Sequence, residues 1–252
     1  KMDNSGSYDH IMEQLEIDWK YASALHATDN ENMVKYVIRD VFSLYGLEVS
    51  FNPKPINGVA GNGKHTHIGM IARTDEGKTI NLFTASRMME NYMSIIGYGA
   101  MMGLLNNYEV ISPFVSGVAS AFKRLKPGFE APVATVCSLG KSLENTTRNR
   151  TVLIGLIRDF DKPYATHFEL RSPNPKSNTY LVLASCFMAM LDGITAVISN
   201  KKTQRELEKS LSKAAGEPDF YLDLVREYRS EENIFEKYTG TDRRNLYGKA
   251  PR

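Results

Sequence analysis

The chain has 252 residues, enough to bury a substantial core as one large domain or two small ones. Its 31 basic and 29 acidic residues leave a formal charge of +2, which gives no field that would by itself recruit nucleic acid or an anionic membrane. The opening "KMDNSGSYDH" lacks the apolar core of a signal peptide, and Cys137 and Cys186 sit in apolar stretches without a C-x-x-C partner, so the default expectation is a cytoplasmic protein with free thiols.

In chain order, "TDNENMVKYVIRDVFSLYG" carries Val34, Val37, Ile38, Val41, Leu44 and Tyr45 at helical spacing. This predicts a helix opened by a Thr28/Glu31 capping box and stopped at Gly46. "LEVSFNPKP" alternates and is β-branched or aromatic before two prolines, which predicts a strand. "GNGKHTH" follows, where Gly58, Gly63 and Lys64 nearly satisfy the phosphate-loop pattern G-x-x-x-x-G-K-[ST], with His65 at the hydroxyl position. Such a loop must open a helix, whereas "HTHIGMIAR" is strand-like. On a strand His65 and His67 project to one face and Lys64 and Thr66 to the other. Two imidazoles so placed suit a metal ion or a polyphosphate, or are ordinary polar residues on an exposed sheet face.

A Met-rich segment from Arg87 to Leu105 reads as core, with glycines at 97, 99 and 103 that allow close helix packing. "SPFVSGVASAFKRLKPGFEAP" is a short helical pattern running into a Pro/Gly loop that contains Glu130, and "PVATVCSL", "RTVLIGLIR" and "ATHFELR" predict three strands. In the last of these, Glu169 and Arg171 share a face. The apolar run Tyr180 to Leu191 predicts a buried helix, too short to span a bilayer. Amphipathic helical segments are expected around "QRELEKSLSKAAG" and "DFYLDLVREYRSEENIFEKY". The class is α+β with a helical carboxyl-terminal part from about residue 200. Singly, an alternating Glu-Arg pair or a Lys-Arg turn is ordinary surface chemistry. Together these residues supply hard-metal ligands, phosphate clamps and a loop carboxylate, the parts of a phosphoryl-transfer site.

"FNPKPINGVAGNGKHTH", "KRLKPGFEAPV", "RNR" and "FELRSPNPKSNTYLVLASCFMAMLDGI" resemble, in order and spacing, signature segments of the glutamine synthetase catalytic domain, and "EQLEIDWKYASALHATDNENMVKYV" resembles the family's Gln-x-Glu-Ile-Asp region. The resemblance implies a partial catalytic domain over 1–252, with a curved antiparallel sheet and packed helices and without the family's amino-terminal β-grasp domain. It implies an ATP-dependent ligase that joins glutamate and ammonia through γ-glutamyl phosphate, two Mg2+ or Mn2+ sites, and a homo-oligomeric ring in the full-length protein, with no nucleic-acid or membrane partner. By similarity, His65, Glu169 and Glu16 are metal ligands, and His67 and Arg150 contact ATP phosphate. Arg124 and Arg171 hold the glutamate carboxylates and the transferred phosphate, Glu130 shields the acyl phosphate, and Gly61 lies against the amino acid.

Several positions depart from the family pattern. Tyr8 stands where a metal-binding Glu is usual, Ala60 replaces a substrate-touching Asn, Lys64 replaces an apolar residue, and Gly155 replaces an arginine whose place Arg158 would take only if the strand were shifted. A relative using a bulkier amine, or a non-catalytic assembly or regulatory descendant, are the alternatives these departures raise. A fragment of this extent is expected to be inactive by itself.

Overall fold

The computed structural model describes residues 13–128, 131–145, 147 and 149–248. The chain forms two compact units, Lys1–Leu47 and Glu48–Arg252. In the first, residues 13–23 carry no regular secondary structure and lead into α1 (Ala24–Leu44). The predicted capping box is corrected: the helix begins after Ser23, because Ala24, Leu25 and Ala27 are strong helix formers that carry it past Thr28. Thr28 instead donates to the Ala24 carbonyl at 2.8 Å, and Glu31 pairs with Lys35. Gly46 ends the helix in the left-handed region at φ 68°, as expected.

The second unit opens with another correction. Residues 47–55 form no strand, since Pro53 and Pro55 offer no ladder donors. The chain folds back instead, so that the Asn62 N–H reaches the Pro53 carbonyl at 2.9 Å and the Asn62 side chain reaches the Asn52 carbonyl at 2.8 Å. The strand read across "HTHIGMIAR" divides into β1 (Thr66–Ile68) and β2 (Ile71–Arg73), and β2 pairs with β3 (Thr79–Asn81). Three helices follow, α2 (Ile95–Asn106), α3 (Tyr108–Val115) and α4 (Ala119–Arg124), then β4 (Ala134–Ser138), β5 (Val152–Ile157) and β6 (His167–Leu170) where strands are predicted.

The main sheet has the order β1-β6-β5-β4. Its first two pairings are antiparallel, but β4 and β5 are parallel, so the sheet is mixed rather than antiparallel throughout. The connection through residues 139–151 is long enough to return the chain to the same end of the sheet before β5 begins. Alternation then divides the residues by face. Ile68, Ile154, Leu156, Phe168 and Leu170 enter the core, where Phe83 stacks on Phe168 at 4.3 Å. His67, Glu169 and Gly155 form a row across three strands on the opposite face.

Helix α5 (Thr179–Ser199) is longer than the apolar run that announced it. By length and composition it could cross a membrane, but one side is packed on α2 and α3, while Leu181, Met188, Leu191 and Ile198 are exposed. The α2–α5 contact is made backbone to backbone. A Cβ on Gly103 would lie 2.1 Å from the Ala189 carbonyl oxygen, and one on Gly193 would lie 2.1 Å from that of Gly99.

Beyond α6 (Gln204–Leu211) the predicted amphipathic helix is mostly absent; among the described residues only α7 (Ile234–Lys237) and α8 (Gly240–Tyr247) are helical. Residues 228–230 instead lie along the free edge of β4, whose unpaired backbone groups need partners. The Cys137 N–H donates to Tyr228 at 2.8 Å and the Ser230 N–H donates to Cys137 at 2.9 Å. Glu231 locks this addition, accepting from the Leu139 and Gly140 amides at 2.9 and 3.0 Å and from Arg229 at 2.9 Å. Cys137 and Cys186 are buried free thiols.

Candidate functional site

Glu169 is the centre of the non-core face of the sheet. One carboxylate oxygen, Oε1, accepts from Arg171 Nη1 at 2.6 Å and lies 3.0 Å from His65 Nδ1. Burial alone would push this carboxyl up, but the His65 hydrogen bond and the Arg171 charge outweigh it and hold the value at about 2. Glu169 is therefore an anion at neutral pH. Its second oxygen, Oε2, faces Gly155, where a Cβ would stand 3.9 Å from that oxygen and 3.4 Å from Thr147. A side chain at 155 would start in contact with Thr147, so the glycine lets Thr147 pack close to the carboxylate.

Arg171 is itself buried, and its Nε donates to the Arg150 carbonyl at 3.2 Å. One planar guanidinium thus fixes the carboxylate and the start of β5 together, which a lysine ammonium could not do with the same geometry. Arg150 is exposed on that strand's approach.

Beneath the glycine loop lies Arg124, at the end of α4 and 3% exposed. Its guanidinium donates to the carbonyls of Arg171, Ser172 and Pro173 at 3.0, 3.2 and 3.5 Å. Burial, with Arg171 nearby, lowers its value to about 10, so it stays cationic at neutral pH. Gly61 sits between the Pro53 carbonyl and the Arg124 side chain, and a Cβ on Gly63 would lie 2.4 Å from Arg124 Nη2. The glycines let the loop lie directly on the guanidinium. Lys64, the departure within this loop, donates to the Ser177 carbonyl at 3.1 Å and to Thr179 Oγ1 at 2.6 Å, and its own N–H reaches Pro173 at 2.9 Å. It fastens the loop to the start of α5.

The structure therefore brings His65, His67, Glu169 and Arg171 onto one face, with Gly61 and Arg124 at its edge and Arg150 on the strand approach. Glu16 lies in the first unit, exposed and outside regular secondary structure. Glu130 and Tyr8 lie outside the described residues. Arg158 does not take the place of the arginine missing at 155. The register pairs Gly155 with Glu169, so Arg158 falls on the other side, stacked on Phe160 at 4.9 Å and Tyr92 at 5.7 Å, with Nη2 on the Met88 carbonyl at 2.6 Å.

One site residue escaped the sequence reading. His167 lies two residues before Glu169 on β6, so the same alternation that paired Glu169 with Arg171 places it on this face. Its Nε2 meets His67 Nδ1 at 2.9 Å. Burial pushes His167 below the usual imidazole value; the Ala165 carbonyl opposes that shift and the neighbouring His67 adds to it.

The donor set suits a hard divalent cation in part. His65 and the Glu169 anion are adjoining ligands of the right kind, but no cluster of three or more His, Cys, Asp or Glu donors occurs among the described residues. Two protein donors fit a cation that keeps waters and takes phosphate oxygens, as Mg2+ does.

The family model "Glutamine synthetase, catalytic domain" matches residues 8–223. The glutamine synthetase of Clostridium saccharobutylicum is 36% identical over 198 residues, which are 79% of this chain and 40% of that protein. That of Pyrococcus abyssi is 35% identical over 182 residues, 72% of this chain and 37% of the relative, and that of Thermotoga maritima is 33% identical over 181 residues, 72% and 38%. The chain spans about two fifths of the length of these curated relatives.

Proposed function

The chain belongs to the glutamine synthetase family, and from that premise we propose that it carries part of the active site of an ATP-dependent ligase. The full-length protein would transfer the γ-phosphoryl group of ATP to the γ-carboxylate of glutamate, releasing ADP, and ammonia would then displace phosphate to give glutamine. The observation that carries this reading is Glu169, held as an anion on an open sheet face by His65 and Arg171 and in one row with His67. His65 and Glu169 would hold a divalent cation, which would neutralise charge on the transferred phosphoryl group.

Two arginines would hold the site in shape. Arg171 keeps Glu169 ionised and oriented. Arg124 stiffens the loop at Gly61, so that backbone rather than side chain meets the amino acid. By the family resemblance, His67 and Arg150 would contact the nucleotide phosphates, Glu130 would shield the acyl phosphate, and Glu16 would ligate a second cation. The full-length protein would act in the cytoplasm as a ring of identical subunits. In the full-length protein, Glu169→Ala is expected to cut ATP-, glutamate- and ammonia-dependent phosphate release at least about a hundredfold. An unchanged rate would remove Glu169 from the machinery and favour a non-catalytic, assembly or regulatory role.

One observation favours a second reading. Glycine at 155, where the family pattern has an arginine, favours a γ-glutamyl-amine ligase that takes an acceptor larger than ammonia. Product analysis with ammonia, ethanolamine and polyamines decides between them, since only this second reading gives a γ-glutamyl amide of the larger amine as the main product. The 252-residue chain alone, with two adjoining cation donors, is expected to bind Mg-ATP weakly and not to turn over. Steady phosphate release by the purified chain would overturn that expectation.

A further inference from the structure

Asn149 stands immediately before Arg150 and uses each end of its side-chain amide twice. Oδ1 accepts from the Thr151 N–H at 3.0 Å and from Thr151 Oγ1 at 2.6 Å, while Nδ2 donates to the carbonyls of Glu232 at 2.7 Å and Ser230 at 3.4 Å. The partners fix which way the amide faces, since a carbonyl can only accept and a backbone N–H can only donate. The carboxyl-terminal segment also returns a bond. The Ile234 N–H, one of the amides that α7 leaves open at its first turn, donates to Thr151 Oγ1 at 3.0 Å.

On its other side, the Arg150 carbonyl accepts from Arg171 Nε at 3.2 Å, and the same guanidinium holds Glu169. The backbone at Arg150 is thus tied to the site through Arg171 and to residues 230, 232 and 234 through Asn149 and Thr151, while its side chain is exposed. Residues 230, 232 and 234 lie beyond the stretch 8–223 that matches the family model. A long, flexible guanidinium side chain meets an anion at low entropic cost only when its root is held in place.

We propose that Asn149 is a positioning residue that fixes Arg150 against the nucleotide phosphates, and that residues 230–234 thereby form part of the support of the site. This rests on the placement of Arg150 on the nucleotide side under the proposed function, but its test does not depend on turnover.

Mg-ATP binding to the full-length protein is measured by isothermal titration, with glutamate and ammonia left out. Asn149→Asp keeps an acceptor toward Thr151 and loses both donors to the carbonyls of 230 and 232; it is expected to bind Mg-ATP about tenfold more weakly. Thr151→Val, which loses only the hydroxyl between Asn149 and Ile234, should weaken binding in the same direction and serves if Asn149→Asp does not fold. Thr151→Ser, which keeps the hydroxyl, should stay within about twofold of the parent. In an Arg150→Ala background, itself weakened, Asn149→Asp should add nothing, because two changes that act through one group are not additive. A merely structural defect would weaken both backgrounds equally. With Arg150→Ala weakened, parent-like binding by Thr151→Val, or an equal loss from Asn149→Asp in both backgrounds, would overturn the proposal alone. Unchanged binding by Arg150→Ala would overturn it together with the nucleotide-side placement of Arg150. Weakened, non-additive binding in a protein that makes no glutamyl product would support the proposal and overturn only the ligase reading.

Discussion

At the scale of single residues, Gly63 and Glu169 show how a small position and a charged one depend on the same neighbourhood. Gly63 lets the loop lie on Arg124, whose guanidinium is already committed to three carbonyls of residues 171–173. A methyl group at 63 would stand 2.4 Å from Nη2, so either the loop or the guanidinium must move. Gly63→Ala is expected to lower stability by about 1–3 kcal/mol, by disturbing buried hydrogen bonds, and urea unfolding of the two proteins measures it. Much of this neighbourhood was legible. Period-two alternation put His65 with His67 and Glu169 with Arg171, but it was not extended one step to His167. What alternation could not supply was the cross-strand register that sets Glu169 beside Gly155 and sends Arg158 to the opposite face.

At the scale of elements, the α2–α5 contact and the edge of β4 are the two places where packing overrode or completed local preference. The glycines of the Met-rich segment suggested close packing, and the helices indeed touch where Gly103 meets Ala189 and Gly193. Gly103→Ala, although favourable for an isolated helix, is expected to destabilise the protein by about 1–3 kcal/mol or more, because the backbones must separate. A drop in the thermal midpoint checks this. At the β4 edge, a stretch with helical periodicity became a strand-like addition, since backbone groups at a sheet edge gain more from pairing than from a short exposed helix. Glu231→Gln weakens the charged end of that addition. Faster amide exchange at Leu139 and Gly140, with little change in the core strands, is the expected outcome.

At the scale of the whole molecule, two ion-paired carboxylates contribute to the acid limb of stability. Glu169 is held at about 2 against an ordinary 4.5, and Glu231, despite the upward push of its burial, is lowered by Ser138 and Arg229. For both groups the unfolded chain binds more protons as the solution becomes acid, so their contribution is present above the ordinary carboxylate value and is lost as pH falls below it, for Glu169 toward about 2. Thermal midpoints measured across that window should fall with pH, and Glu169→Gln should flatten the fall. The sequence by itself determined the α+β class, the strands that flank the site, the buried thiols and the family, because alternation, helical spacing and ordered motifs are local properties of the chain. Only the tertiary structure decided that β4 and β5 run parallel, that residues 228–230 complete the sheet edge, that Arg124 lies under the glycine loop, and that His167 meets His67. Each of these depends on which distant backbone group finds which partner, and that choice is made by register and burial across the fold rather than by any neighbouring residue.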